Sequence, residues 1–195
     1  ISINGNFDDC QNIVKNLFNN RHFAKDVSLT AVNSINWARI MIQIVYYFSA
    51  LSQYKRIEKN INFIVPTGNF GDIFAGYIAK RMGLPIHKLV IATNVNNILE
   101  RCLKTGVYEV FDSIQTNSPS MDIQISSNFE RLLFDLLDMS SGVVGKKMTQ
   151  LRENGKFELS KSELKSFKDN FDAGSINQDE TVKIIKDMYN KSHQI

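Results

Sequence analysis

The chain has 195 residues, of which 43% are hydrophobic, so it is long enough to bury one domain core and too apolar for a disordered protein. Its 23 basic and 20 acidic residues leave a net charge of +3, too small for a nucleic-acid-binding surface, and we expect no nucleic-acid partner. Cys10 and Cys102 lie far apart without CxxC or His-rich context, which argues against a disulfide framework or a zinc site and favours a reducing, cytoplasmic location. The most apolar helical run, residues 40–51, is too short for a membrane span. Ile1 is not an initiator methionine, which suggests a piece of a longer polypeptide.

Strands and helices alternate along most of the sequence. Asp8 and Gln11 have the spacing of a capping box and predict a helix over residues 9–19, followed by a basic loop at 21–25. A strand at 27–32 is predicted to lead into a helix at 37–54, whose start Ser or Asn can cap. The later pairs are a strand at 61–65 with a helix at 72–82, a strand at 88–92 with a helix that ends near Gly106, and a strand at 121–125 with a helix at 129–139.

This alternation predicts an α/β fold: a three-layer, open, mostly parallel sheet with helices on both faces. We interpret residues 1–195 as part of one domain, with a well-patterned α/β core at 1–139. Residues 140–195 are more polar and are predicted to be mostly helical, with helices at 146–154 and 178–191 around an irregular, charged middle.

A glycine turn between a strand and a helix is the most informative local pattern. The turn at residues 66–71 places Gly68 and Gly71 before a helix start, where unpaired N–H groups and the helix dipole favour an anion. Glycine at these positions would permit a positive φ and a close approach of the backbone to a ligand. The turn matches neither the P-loop nor the dinucleotide-binding pattern. Periodicity alone is equally compatible with a turn that has only a structural role.

Polar loops follow three of the predicted strands, at residues 33–36, 68–72 and 93–96. Because ligands of open α/β sheets bind beyond the carboxyl ends of the strands, these loops are expected to lie near one pocket. The first loop and the helix after it carry amide, hydroxyl and guanidinium groups that can bind an oxyanion. These groups belong to Asn33, Ser34, Asn36 and Arg39. The alternative interpretation is a helix cap followed by a surface arginine.

The segment Ser166-Phe-Lys-Asp169 has the form of a catalytic lysine motif but lies among charged residues. A lysine nucleophile needs a partly buried site that lowers its pKa, and nothing near Lys168 indicates one. The three histidines have no partners at metal-ligand spacing, so we predict no metal site and no role for them.

Four segments in order, at residues 31–39, 65–76, 89–94 and 118–131, together resemble the threonine synthase family, in its longer bacterial and fungal branch. The resemblance extends from about Gly5 to Leu137. It implies a pyridoxal-phosphate enzyme of fold type II, like the large domain of the tryptophan synthase β chain. Such a lyase of threonine biosynthesis converts O-phospho-L-homoserine and water to L-threonine and phosphate.

The resemblance also implies which residues bind each phosphate. The family's cofactor-binding glycine loop corresponds to Gly68, Asn69, Phe70, Gly71 and Asp72. Its substrate-binding segment corresponds to Asn33, Ser34, Asn36 and Arg39.

The chain departs from the family in what it does not contain. The family's Schiff-base lysine belongs to a Phe-Lys-Asp segment far upstream of the glycine loop, outside this sequence. We therefore expect the chain to need the missing N-terminal part of the enzyme as a partner and to be inactive alone. The alternatives are a catalytically inactive threonine-synthase-like protein that binds a phosphorylated metabolite, a phosphate-binding module of another α/β family, and a folded piece without ligand affinity.

Overall fold

The computed structural model describes residues 2–5, 7–54 and 61–193, and these form an α/β fold with a parallel sheet, as predicted. The helices are α1 Phe7–Asn19, α2 Arg21–Asp26, α3 Trp37–Ser52, α4 Gly71–Arg81, α5 Ile98–Thr105, α6 Phe129–Leu136, α7 Ser141–Asn154, α8 Lys161–Asn170 and α9 Gln178–Ser192. The strands are β1 Ile61–Pro66, β2 Ile86–Thr93, β3 Val107–Glu109, β4 Lys156–Glu158 and β5 Phe171–Ser175, and Pro119–Met121 is a 3-10 helix. No helix among the described residues is long and apolar enough to cross a membrane.

The main sheet has the strand order β1-β2-β5, and both pairings are parallel. Val65 pairs with Ile91, and Ile91 pairs with Ala173, so the three strands end at one edge of the sheet. β3 and β4 form a separate antiparallel pair. The C-terminal part of the chain therefore supplies one strand to each sheet. The division of the chain near residue 139 stays a prediction.

One face of the sheet carries the buried core. Leu89 and Ile91 in β2 are fully buried, and α4 packs against Leu89 through Gly76, whose missing side chain leaves room for it. α3 then packs on α4, with Tyr47 against the same glycine. On the opposite face, Ile64 of β1 is 73% exposed. The helical layers next to the glycine turn are therefore fixed by close backbone approach.

An aromatic cluster connects the glycine turn to the C-terminal elements. The Phe70 ring lies 5.4 Å from that of Phe129 in α6 and 5.5 Å from that of Phe171 in β5. Phe167 of α8 lies 5.3 Å from both of these partners. Since all four side chains are at most 2% exposed, residues far apart in sequence share one core.

Several local predictions are wrong. Residues 21–25 form most of α2 rather than a loop, because the Asn20 side chain caps its first turn by accepting from Phe23 N at 3.1 Å. The predicted strands at 27–32 and 121–125 do not form. Val32 is 77% exposed and finds no sheet. Asp122 is buried in a polar network with Asn94 and Asn96, so the alternation at 121–125 reflects buried polar side chains of a loop.

The predicted irregular middle of the C-terminal part is also wrong, since β4, α8 and β5 lie there. α8 begins with a complete capping box between Ser160 and Glu163, a pattern that is visible in the sequence. α7 begins at Ser141, earlier than predicted, and the helices at 37–54, 72–82, 129–139 and 178–191 are confirmed with shifted ends.

Candidate functional site

A cavity of about 160 Å³ lies at the carboxyl end of β1, between the starts of α3 and α4. It brings together parts of both predicted phosphate-binding segments. Its lining comprises Ser34, Arg39, Gln43, Pro66, Thr67, Gly68, Asn69, Phe70, Gly71, Asp72 and Ile73. The five predicted cofactor-binding residues and two of the four predicted substrate-binding residues therefore meet in one place.

The N-terminus of α4 faces this cavity without a side-chain cap. Phe70 occupies the N-cap position in the left-handed conformation (φ 64°), and its side chain accepts no hydrogen bond from the helix. The N–H groups of Gly71, Asp72 and Ile73 have no acceptor within the helix, because the first intrahelical donor is Phe74 N. These donors and the helix dipole make the turn suitable for an anion such as a phosphate group.

Gly68 and Gly71 contribute space, and the expectation of a positive φ at these positions is wrong. The positive φ belongs to Phe70 instead. A Cβ on Gly68 would lie 2.7 Å from Ile123 Cδ1, so the loop is packed closely against its support. A Cβ on Gly71 would meet Asn128 Nδ2 at 3.4 Å and Gln43 Oε1 and Ser34 O at 3.8 Å. Gly71 therefore packs closely at the junction of the two segments.

Ser34 and Arg39 reach the cavity from the α3 side. The Ser34 hydroxyl is buried and has no hydrogen-bond partner among the described residues, which is costly unless a ligand or water completes it. One Arg39 nitrogen donates to Val32 O at 3.1 Å, and the rest of the planar guanidinium fork is able to bind an oxyanion. Gln43, one helical turn after Arg39, joins them. Gln43 was not predicted as a site residue, although its i+4 spacing from Arg39 would have placed both on one helix face.

Asn33 and Asn36 shape the first loop instead of lining the cavity. Asn33 Oδ1 accepts from Ile35 N at 3.2 Å, and Asn36 Oδ1 accepts from Ala38 N at 2.9 Å as the cap of α3. The third predicted loop, residues 93–96, does not line the cavity. Its asparagines are bound to Asp122, as described above. The contact of Asn33 and Asn36 with a ligand stays a prediction.

Asp72 is the acidic group of the cavity. Burial raises the pKa of its carboxyl above the ordinary value, while a hydrogen bond from Tyr47 opposes this increase. The Tyr47 hydroxyl lies 3.0 Å from Asp72 O and 3.2 Å from Asp72 Oδ1. This contact ties the first turn of α4 to the middle of α3.

A second polar segment lies behind the glycine turn and was not predicted as part of the site. Asn128 Nδ2 donates to Ser34 O and to Asn69 O, and Arg131 donates to Ile35 O. These residues belong to the segment at 118–131 that carries the family resemblance. The polar run Ser126-Ser127-Asn128 directly precedes α6, a pattern that in sequence is equally typical of a helix cap.

Lys168 is exposed on α8 and does not line the cavity, and no described lysine does so. Among residues 2–5, 7–54 and 61–193, no cluster of three or more His, Cys, Asp or Glu side chains forms that could hold a metal ion. The cavity chemistry available in this part of the chain is thus anion binding by backbone N–H groups, hydroxyl, amide and guanidinium.

Comparison with known proteins relates the chain to one group of enzymes. It is 47% identical to the threonine synthase of Saccharomyces cerevisiae over 98% of its length and 45% identical to that of Pseudomonas aeruginosa over 100%. A crystal structure of pyridoxal-phosphate-bound threonine synthase from Brucella melitensis matches the whole chain with a TM-score of 0.89 and 52% identity, and the match covers 42% of that protein. The structure of yeast threonine synthase matches 97% of the chain with a TM-score of 0.83 and 45% identity.

No family model matches the sequence. The chain spans about two fifths of the two curated relatives, 40% and 42% respectively. Similarity at this level over nearly the whole chain, together with the agreement of the folds, extends well beyond the glycine turn. The chain is therefore homologous to about two fifths of a threonine synthase.

Proposed function

We propose that this chain forms part of a threonine synthase, a pyridoxal-phosphate-dependent lyase that converts O-phospho-L-homoserine and water to L-threonine and phosphate. One observation carries the proposal. Ser34 and Arg39 line the same cavity as the uncapped N-terminus of α4. A cofactor phosphate and a substrate phosphate both require such anion-binding groups, and the chain supplies two sets at one edge of its sheet.

Pyridoxal phosphate fits the glycine turn on the geometry of the chain itself. The free first-turn N–H groups of α4 and the loop from Gly68 to Phe70 would hold its phosphate in the cavity that they line. When bound, the cofactor supplies an electron sink for amino-acid chemistry. The residues of this chain anchor and orient it.

The substrate phosphate would be held on the α3 side. The buried Ser34 hydroxyl lacks a partner within the described part of the chain and would donate to a phosphate oxygen, and Arg39 would neutralise its charge. The family resemblance also assigns Asn33 and Asn36 to binding of the substrate phosphate. We propose that the lysine that carries the cofactor comes from another part of the polypeptide.

The proposal extends to partners and location. We infer that the remaining part of a synthase polypeptide completes the site, and that no nucleic acid takes part. We assign the protein to the cytoplasm, because Cys10 and Cys102 are both free thiols.

The test uses the longest polypeptide that contains this chain, assayed for phosphate release from O-phospho-L-homoserine with and without pyridoxal phosphate. We expect release that depends on the cofactor and that Arg39→Ala reduces mainly through a higher KM. Arg152→Ala is the matched control, since Arg152 is exposed on α7 away from the cavity. Absence of release from a polypeptide that binds the cofactor, or equal effects of the two substitutions, would contradict the proposal.

A further inference from the structure

Asn128 joins the two segments that line the cavity. Its side-chain nitrogen donates to Ser34 O at 2.9 Å and to Asn69 O at 3.0 Å, and its backbone N also donates to Asn69 O at 3.0 Å. The residue is 1% exposed. Within the described parts of the chain, no hydrogen bond runs directly between residues 31–36 and 66–71. The Asn128 amide is therefore the polar link that spans the two loops.

Arg131 fixes the orientation of this amide. Its Nε donates to Asn128 Oδ1 at 3.0 Å, and its Nη2 donates to Ile35 O at 2.9 Å. With Oδ1 occupied, Asn128 must direct its NH₂ group at the two loop carbonyls. The guanidinium also lies 5.4 Å from the ring centroid of Trp37, the first residue of α3. Arg131 thus holds the start of α3 and the linking amide together.

Ser126 and Asn128 together determine which way the peptide groups of the glycine turn face. Ser126 Oγ donates to Gly68 O at 2.6 Å, and Asn128 binds Asn69 O as above. In a trans peptide the carbonyl and the following N–H point in opposite directions, and the described chain contains no cis bond. Because the carbonyls of Gly68 and Asn69 point toward Ser126 and Asn128, the N–H groups of Asn69 and Phe70 point away from Asn128.

The Asn69 side chain is oriented in a similar way. Ser127 Oγ donates to Asn69 Oδ1 at 3.1 Å. Because Asn69 Oδ1 accepts from Ser127, the Asn69 NH₂ group is left to donate to a ligand in the cavity that Asn69 lines.

We propose that Asn128 and Arg131 form a positioning pair. The pair sets the spacing between the glycine turn at 68–72, which would hold the cofactor phosphate, and Ser34 and Arg39, which would hold the substrate phosphate. The inference rests on the proposed function. Neither side chain lines the cavity, so the pair acts through the loops. Removing the Asn128 side chain leaves the first-turn donors of α4 and the bond from Asn128 N to Asn69 O in place, but frees Ser34 O from the link to the glycine turn. Removing Arg131 leaves the Asn128 amide without the donor that orients it.

The test measures ligand binding rather than turnover, in the longest polypeptide that contains this chain. Asn128→Ala, Arg131→Ala and the double variant are titrated with pyridoxal phosphate by fluorescence and with inorganic phosphate by ³¹P NMR, and their melting temperatures are recorded. We expect each single variant to bind both probes about tenfold more weakly, the size of losing one to two orienting hydrogen bonds. The double variant should be no worse than the weaker single one, because the two residues act as a unit.

Asn96→Ala is the matched control. Asn96 is 3% exposed and, like Asn128, donates from Nδ2 to two acceptors, Ile114 O and Asp122 Oδ1, but it lies away from the cavity. It should lower the melting temperature as Asn128→Ala does and leave both dissociation constants unchanged.

Each outcome is decisive. Unchanged binding of both probes in Asn128→Ala and Arg131→Ala would overturn the pair while leaving the proposed function intact. Failure of the unmodified polypeptide to bind pyridoxal phosphate would instead overturn the proposed function and the inference with it. If Asn128→Ala does not fold, Arg131→Lys supplies the comparison, because it keeps the charge but cannot reproduce both contacts of the planar fork.

Discussion

Gly76 lies at the contact between α3 and α4, and its replacement by alanine should push these helices apart. A Cβ there would lie 2.6 Å from Cε1 and Cζ of Tyr47 and 2.9 Å from Leu89 Cδ2. Leu89 belongs to the central strand of the sheet, so α4 cannot move inward. The Tyr47 ring must shift instead, and with it the hydroxyl that donates to Asp72 O.

The expected size follows from two opposing terms. Alanine is favoured over glycine inside a helix by about 1 kcal/mol. Overpacking a filled core costs about 1 to 3 kcal/mol, and contacts below 3 Å on both sides put Gly76→Ala at the upper end. The free energy of unfolding should therefore fall by about 2 kcal/mol. Ser34 and Arg39 lie at the start of α3, so phosphate binding should weaken as well.

Urea unfolding and a phosphate titration measure both effects, and Gly145→Ala provides the control. Gly145 lies in α7, and a Cβ added there would have no neighbouring atom within 4 Å. Its replacement should increase stability by about 1 kcal/mol and leave phosphate affinity unchanged. The reasoning is refuted if Gly76→Ala stabilises the protein as Gly145→Ala does, or if it lowers stability without any change in phosphate affinity.

Three further changes test other contacts. Tyr47→Phe removes the hydrogen bond that lowers the pKa of Asp72 against the effect of burial. The folded state then keeps this proton to higher pH, so stability should fall further than in the unmodified protein as pH rises above the ordinary pKa of a carboxyl, and an unchanged pH dependence of urea unfolding would contradict this. Ser160→Ala opens the capping box of α8 and should cost about 1 kcal/mol in thermal unfolding, whereas an unchanged melting temperature would show the cap to be unimportant. Ile42 and Val45 of α3 are 62% and 60% exposed, so the isolated chain should associate through this face. The double variant Ile42→Glu, Val45→Glu should reduce the mass measured by light scattering, and a monomeric unmodified chain would contradict this.

The glycine turn could be predicted from sequence because every local preference there agrees. The apolar run that forms β1, the turn and the amphipathic start of α4 each indicate the same structure, and Gly83 ends the helix with a φ of 103°. The predicted cofactor residues consequently line the cavity. What periodicity could not provide is that Phe70 rather than a glycine takes the left-handed conformation, since its ring is held there by tertiary packing.

β5 and the Asn128 anchor could not be predicted for different reasons. The segment Phe171–Ser175 contains Asp172 and Gly174, which have low strand propensity, and it becomes a strand because β2 offers an open edge for parallel pairing. The contacts of Asn128 reach residues 59 and 94 positions away. A single sequence gives no distance between such positions, and a polar residue before a helix is equally well explained as a cap.

The packing of Phe70 against Phe171 also determines when the phosphate site can form during synthesis. The turn is synthesised before β5, and the ring that fixes its left-handed residue rests on this strand about one hundred residues later. A ribosome that has produced only the glycine turn has therefore not yet produced the support for its shape. Anion binding should appear after β5 has emerged and paired with β2, so the order of synthesis delays ligand capture until the parallel sheet is complete.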